Sequence, residues 1–222
     1  MVTVALDLDP EKARPWIEAA APTHPSLIDS AHLTNELFGF NNVPMAVWID
    51  ETGMLVRPAE SASIQSRDTT SPIPDELPDR VKELMSEARR IPDIAEQYRN
   101  AIVDWIDNGA DSQFALTPDE VVAQSAPRDR GHAEAAANFE LGQHLFHTVG
   151  KQAAIPFWRA AHALDPANWT YKRQAWTLET TADGQPSDMF QPPTEVYEGN
   201  WLDDVRASGG GENYIRKPGF VR

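Results

Sequence analysis

The sequence contains no cysteine among its 222 residues. This absence excludes disulfides, thiolate catalysis and cysteine-based metal sites within the chain. It does not identify the compartment, because cysteine-free proteins occur in both reducing and oxidising compartments. Any thiol chemistry would therefore depend on residues outside these 222.

The sequence also lacks an excess of basic residues and long apolar runs. Acidic residues outnumber lysine and arginine by 34 to 19, which gives a formal net charge of −15. Nucleic acids and anionic lipids are bound by basic patches, so we expect no nucleic-acid partner. No apolar run approaches the length of a membrane span and no signal peptide is visible, which predicts no membrane span and a cytoplasmic location. The predicted location depends on Met1 being the natural start.

The composition that remains, 41% hydrophobic and 24% charged, is ordinary for a soluble globular protein. Residues 2–6 are β-branched and apolar, as in a strand buried on both faces. Asp9 can cap the helix that follows, and Pro10 suits its first position. Apolar residues then recur at helical spacing and predict one apolar stripe, formed by Ala13, Trp16, Ile17 and Ala20.

Strand-like and helical patterns continue to alternate up to about residue 66. Residues 26–28 form a short extended piece, and Asp29 or Ser30 can cap the next helix. A Val43-Pro44 step leads into an apolar strand, an acidic turn that ends in glycine, and a returning strand. This order predicts an α/β layer with a mixed sheet.

Four motifs occur in a fixed order along this segment: Val2-Thr3-Val4-Ala5-Leu6-Asp7, His24-Pro25-Ser26-Leu27-Ile28-Asp29, Phe38-Gly39 followed by Asn42-Val43-Pro44, and Trp48-Ile49-Asp50-Glu51-Thr52-Gly53. In this order they resemble the ResA/TlpA type of thioredoxin-like oxidoreductase, from the strand after its active-site helix to the end of its sheet. The resemblance covers roughly the first third of the chain. It implies that Val43 and Pro44 bind substrate, with a cis-proline that lies against the redox pair.

The resemblance also implies parts that this sequence lacks. In that family the reactive pair, often Cys-x-x-Cys, begins a helix just after a central strand, and both precede the region that matches here. Without them, the strands at residues 2–6 and 46–49 would flank an empty position in the sheet. Unpaired strand edges of this kind invite association with other chains.

Two explanations for the missing part stay open. In the first, Met1 is an internal methionine of a longer protein whose selenocysteine codon is read as a stop. The chain also resembles ResA-like proteins that carry selenocysteine and a tetratricopeptide-type C-terminal part. In the second, the chain is a natural cysteine-free protein whose remaining strands close up.

Helical patterns dominate the rest of the chain. Residues 67–130 are predicted to form a linker and packing helices, with a capping box at Thr117 and Glu120. Residues 131–180 resemble a tetratricopeptide repeat with a covering helix, and residues 181–222 are predicted to be an irregular tail. The repeat pattern is matched by Leu141, Gly142, Ala154, Trp158, Ala161 and Pro166, whereas Asn138 departs from it. Its small residues would let two helices approach closely, with Trp158 between them.

The covering helix offers a candidate protein-binding surface formed by Trp169, Tyr171 and Arg173. The structural interpretation is that the aromatic side chains belong to the core. A second candidate is a metal site with helical spacing, formed by Glu140, His144 and His147. No further ligand is indicated, so we predict no metal and no cofactor.

Three carboxylates, Asp7, Asp29 and Asp50, could carry protons near a redox centre. Helix capping and turn formation explain Asp29 and Asp50 more simply. We therefore predict no catalytic residue within this chain.

The predicted fold is an α/β layer with an incomplete thioredoxin-like sheet, followed by an all-α tetratricopeptide-like region. Two functions fit this prediction. The chain is part of a thiol- or selenol-disulfide oxidoreductase that acts on a protein substrate, or it is a non-catalytic adaptor that binds a partner protein through its helices.

Overall fold

The computed structural model describes residues 1–125, 127–179, 189 and 192–221. Within them the chain is a mixed α/β protein. The strands are β1 (Thr3–Leu6), β2 (Ser26–Asp29), β3 (Met45–Ile49) and β4 (Leu55–Ser61). The helices are α1 (Pro10–Ala20), α2 (Leu33–Phe38), α3 (Asp79–Arg89), α4 (Ala95–Asn108), α5 (Pro118–Gln124), α6 (Arg130–Thr148), α7 (Lys151–Leu164), α8 (Trp169–Thr177) and α9 (Trp201–Ala207).

The residues group into two compact units, each built from separate segments of the chain. Unit 1 comprises Met1–Asn41 and the described part of Arg128–Glu198. Unit 2 comprises Asn42–Pro127 and Gly199–Arg222, again as far as the structure describes them. The segment 1–66 thus contributes to both units. The predicted domain boundaries, after residues 66, 130 and 180, stay predictions.

Each unit contains a small sheet. In unit 1, β1 and β2 pair in parallel, with Val4 opposite Leu27. In unit 2, β3 and β4 form an antiparallel hairpin with irregular register between Ala46 and Ile49. Among the described residues, both sheets have two strands. The prediction of one mixed sheet is therefore wrong for the described residues, which form one parallel and one antiparallel ladder.

The prediction that residues 2–6 form a strand buried on both faces is wrong. Val2 and Val4 are exposed, and Leu27 on the neighbouring strand is exposed beside Val4. A strand is buried on both faces only when layers of structure cover both sides of its sheet. In unit 1 one face of the two-stranded ladder remains open to solvent at these three residues.

Capping residues place most helix starts where the sequence predicts them. The Asp9 carboxylate accepts a hydrogen bond from the Glu11 amide at the start of α1. Thr117 and Glu120 form the predicted capping box at α5. The apolar stripe of α1 is helical as predicted, but no residue of this helix is buried and Trp16 is highly exposed.

The start of α2 differs from the prediction. His32, not Asp29 or Ser30, occupies the N-cap position, with φ of 55°. Asp29 still serves the helix end, because its carboxylate accepts hydrogen bonds from the amide and the hydroxyl of Thr34. The carboxylate thus satisfies an amide of the first turn from a position outside the helix.

The core of unit 1 lies where α6 and α7 pack together. Trp158 on α7 is 1% exposed and lies against Gly142 on α6. A Cβ atom at position 142 would lie 2.6 Å from Cδ1 and Nε1 of the Trp158 indole. Ala154 and Ala161 on α7 are fully buried. The predicted close approach of two helices through small residues is therefore present.

The core of unit 2 is aromatic and lies beneath the β3–β4 hairpin. The Trp48 indole on β3 donates a hydrogen bond to the Tyr98 hydroxyl on α4 at 2.9 Å and stacks on Trp105 at 4.9 Å between ring centroids. The hydroxyl satisfies the buried indole N–H, which would otherwise lose a water partner. Phe114 and Phe220 complete this cluster.

The C-terminal segment predicted to be irregular contains a helix, α9. Trp201, Leu202 and Val205 on this helix are buried in unit 2, as their apolar character predicts. Further along, the Gly211 amide donates a hydrogen bond to the buried carboxylate of Glu87 at 2.6 Å. This bond ties the segment to α3. In the part of the chain that the structure describes, no helix has both the length and the apolar character that crossing a bilayer requires.

We expect Gly142→Ala to lower the free energy of unfolding by about 1–3 kcal/mol, because the new methyl group would overlap the Trp158 ring. This loss already allows for the gain of about 1 kcal/mol that alanine normally brings over glycine in a helix interior. Urea denaturation followed by circular dichroism measures the difference. In the matched double variant, Gly142→Ala with Trp158→Phe, the loss in the free energy of unfolding should be smaller than the sum of the losses in the two single variants. The smaller ring leaves room for the methyl group. A more stable Gly142→Ala protein would contradict the packing described here.

Candidate functional site

The predicted substrate-binding residues lie in unit 2, at the start of the hairpin. The Val43–Pro44 peptide bond is cis, which is the form that the resemblance implies. The Val43 side chain is 41% exposed. Its amide donates a hydrogen bond to the side chain of Asn42 at 2.9 Å. The Val43 N–H therefore has a partner within the chain.

The two edges of the β3–β4 hairpin differ. Along β4, the Val56 carbonyl accepts a hydrogen bond from the Leu116 amide at 3.0 Å, and the Ser61 amide donates one to the Arg216 carbonyl at 2.9 Å. The outer edge of β4 is therefore covered by other segments of unit 2. In the described residues no strand is paired with the other edge of β3. Among the described strands, β3 is thus paired with β4 alone.

The β1–β2 ladder in unit 1 also lacks a further strand among the described residues. Two apolar residues that are partners in the ladder, Val4 and Leu27, are exposed, and so is Val2, which lies just before β1. An apolar sheet face of this kind gains stability when another layer covers it.

The three candidate proton carriers serve local structure. The Asp7 carboxylate accepts a hydrogen bond from the Asp9 amide. Hydrogen bonds from the Thr52 hydroxyl and the Met54 amide lower the pKa of Asp50, which closes the hairpin turn. Burial by itself raises the pKa of Asp29, but the hydrogen bonds from Thr34 outweigh it, and the net shift is downward. Asp29 and Asp50 are thus held ionised, which favours capping and turn formation over proton transfer.

The described residues hold no group of three or more His, Asp and Glu side chains placed to bind a metal ion. The spacing of Glu140, His144 and His147 along α6 therefore does not bring them together as a ligand set. All three side chains are exposed.

The candidate protein-binding residues on α8 lie mostly inside unit 1. Trp169 and Tyr171 are each 4% exposed, and Tyr171 stacks on Phe139 of α6 at 4.2 Å between ring centroids. Arg173 is half-buried, with its guanidinium 5.9 Å from the Trp176 ring. The positions of Trp169 and Tyr171 support the core interpretation.

Sequence reasoning missed a buried ion pair in unit 2. The Arg57 guanidinium and the Glu60 carboxylate form two hydrogen bonds, at 2.6 and 2.8 Å, and their side chains are 3% and 4% exposed. Arg57 also donates to the Phe114 carbonyl at 2.8 Å and lies 4.7 Å from the centroid of Phe220. These contacts give the guanidinium the partners that a buried charge requires.

The environment of this pair extends to Tyr98. Burial raises the pKa of the Tyr98 hydroxyl to about 12, and the nearby Glu60 carboxylate adds to the increase. Tyr98 therefore stays protonated at neutral pH and accepts the indole hydrogen bond of Trp48. A spacing of three residues between an arginine and a glutamate is common, so the spacing alone could not identify this pair in the sequence.

The contacts of Arg57, Glu60, Tyr98 and Trp48 hold the core of unit 2 together, and they include no nucleophile.

We expect Arg57→Met to destabilise the protein by about 3–5 kcal/mol, because Glu60 would remain buried without a partner. The double variant Arg57→Met with Glu60→Met should recover most of this loss, since no charge is then left in the core. Chemical denaturation of both variants measures the difference. Equal losses in the single and double variants would show that packing of the Arg57 stem, not the charge, sets the cost.

In comparisons of the chain with protein-family models, with curated proteins and with solved structures, no match was found.

Proposed function

We propose that the chain is the part of a thioredoxin-like disulfide oxidoreductase that binds substrate, and that the redox nucleophile comes from outside these residues. The observation that carries the proposal is the division of the strands into two two-stranded ladders, one parallel and one antiparallel. The resemblance to the ResA/TlpA type predicts this division when the central strand is absent.

Three further features support the proposal. Val2, Val4 and Leu27 form an exposed apolar face that a following helix could cover. The Val43–Pro44 bond has the cis form, and the Val43 side chain is accessible. The outer edge of β4 is covered by other segments of unit 2.

The chemistry would require a thiolate or selenolate supplied by the added segment. A disulfide is reduced by attack of such a group on one of its sulfur atoms, through a mixed intermediate that a second thiol resolves. No side chain of this chain can make that attack, because it contains no cysteine. Val43 and Pro44 would contribute by positioning an extended substrate segment beside the attacking atom, through backbone contacts of the kind that β-strand addition uses.

We expect the 222-residue chain to show no reduction of insulin disulfides above the background rate of dithiothreitol. A longer protein that continues into the segment encoded upstream should be active. The matched control is the same longer protein with its redox-active cysteine or selenocysteine replaced by serine, which should be inactive. Turnover by the 222-residue chain alone, or an inactive longer protein that is folded, would overturn the proposal.

The second candidate function is a non-catalytic adaptor with a tetratricopeptide-like module. The close packing of α6 and α7 through Gly142 and Trp158 supports this interpretation of residues 131–180. The burial of Trp169 and Tyr171 weighs against a binding groove at these two residues. Exposed side chains of α6, such as Glu140 and His144, would have to provide the surface. An affinity capture that is lost on Glu140→Lys and retained on an exposed control variant, Glu51→Lys, would favour the adaptor.

A further inference from the structure

A buried histidine joins the β-strand part of unit 1 to its helices. His32 is 4% exposed and occupies the N-cap position of α2. Its φ of 55° lies in the left-handed region, which non-glycine residues seldom adopt. The backbone therefore turns sharply at His32 and directs its ring into the interior of unit 1.

The imidazole ring contacts two residues of α6. The imidazole lies edge-on against Phe139 at 4.9 Å between centroids. Its Nδ1 is 3.2 Å from Nε2 of the buried Gln143 side chain. An amide N–H donates in this geometry, so Nδ1 accepts and the ring is neutral. Protonation of Nδ1 would remove the acceptor and bury a charge.

Helix α2 depends on few other buried groups. Within α2, which the structure describes throughout, Asn35 is the buried residue, and its side chain donates a hydrogen bond to the Thr170 hydroxyl on α8. The apolar residues Leu33 and Leu37 are exposed. The attachment of α2 to the helices of unit 1 is therefore mainly polar, and it includes a titratable ring.

The charges around His32 do not compensate for its burial. Asp29 on β2 is the carboxylate that favours the protonated ring, and its own hydrogen bonds go to Thr34. Glu36 on α2 is paired with Arg128. On α6 the facing groups, Phe139 and Gln143, are uncharged, and behind Phe139 the stacked Tyr171 of α8 has its pKa raised by burial. Burial therefore prevails and lowers the pKa of His32 to about 4, against an ordinary value of 6.5.

We propose that His32 is an acid-sensitive contact that holds α2 on α6 when neutral and releases α2 when the ring takes up a proton. The segment that is released lies between two other attachments. On one side is the β1–β2 ladder, and on the other is the hydrogen bond from the Trp169 amide to the Asn41 carbonyl at 2.6 Å. This inference concerns unit 1 alone and does not rest on the proposed redox function.

The direction and size of the effect follow from proton linkage. The released state binds a proton near pH 6.5 and the closed state only near pH 4, so the released state gains population as pH falls through this window. Between pH 7 and pH 5 the equilibrium constant for release should rise about 20-fold. Below about pH 4 both states are protonated and no further change is expected.

Hydrogen exchange measured by NMR tests this proposal on the intact chain. The reporters are the amides of Glu36, Gly39 and Phe40, which donate to carbonyls of His32 and Asn35. Their protection factors, which remove the intrinsic pH dependence of exchange, should fall about 20-fold between pH 7 and pH 5. The amides of Val149 and Gly150, at the far end of α6, are internal controls and should change much less.

Two variants separate the histidine from general acid effects. His32→Asn keeps a residue that tolerates the left-handed backbone and cannot be protonated, so its protection factors should lose the pH response. His147→Asn removes an exposed histidine of α6 and should leave the response unchanged.

The ring itself provides a measurement that needs no variant. NMR titration of the His32 ring in the native chain should show a pKa well below 6.5. A His32 that titrates near 6.5 would overturn the proposal, as would equal pH responses in the native and His32→Asn proteins. If His32→Asn does not fold, two measurements on the native chain still test the proposal. They are the titration of the ring and the comparison of protection factors between the α2 amides and those of Val149 and Gly150.

Discussion

Backbone pairing along the strands is the constraint on which the arrangement of this protein depends. A strand has two edges, and each edge presents N–H and C=O groups that need partners. The outer edge of β4 is satisfied by the Leu116 amide and the Arg216 carbonyl, which brings two distant segments into unit 2. The β1–β2 ladder instead keeps an exposed apolar face. The contrast between the covered and open parts of these sheets adds to the division of the strands into two ladders, which is the main support for the proposed relation to thioredoxin-like proteins.

Local features were the most predictable from sequence, because the residues that determine them are close in the chain. Asp9 and Thr117 act within one helical turn, so their capping roles could be predicted directly. Gly142 and Trp158 are farther apart, but the helical repeat pattern specifies both positions, and their contact was predicted as well. The substrate-binding role of Val43 and Pro44 depended on a resemblance and stays a prediction.

Features that depend on distant neighbours could not be predicted in this way. Nothing in residues 2–6 indicates that one sheet face lies open, because burial is set by the layers that pack on a strand and not by its composition. The partners of Arg57 include Phe114 and Phe220, which are more than fifty residues away. His32 is missed for the same reason, since Gln143 and Phe139 belong to α6. A lone histidine or arginine in a sequence carries no information about such neighbours.

The division of each unit between separate stretches of the chain has a consequence for synthesis on the ribosome. Strands β1 and β2 are synthesised before the helices of Arg128–Glu198, with which they form unit 1. Unit 2 likewise waits for Gly199–Arg222. Chains are made at about 5–20 residues per second, and domains commonly fold as they emerge. Here Val4 of β1 and Leu27 of β2 are synthesised before the helices with which they form unit 1, so this ladder cannot complete its unit while these residues leave the ribosome.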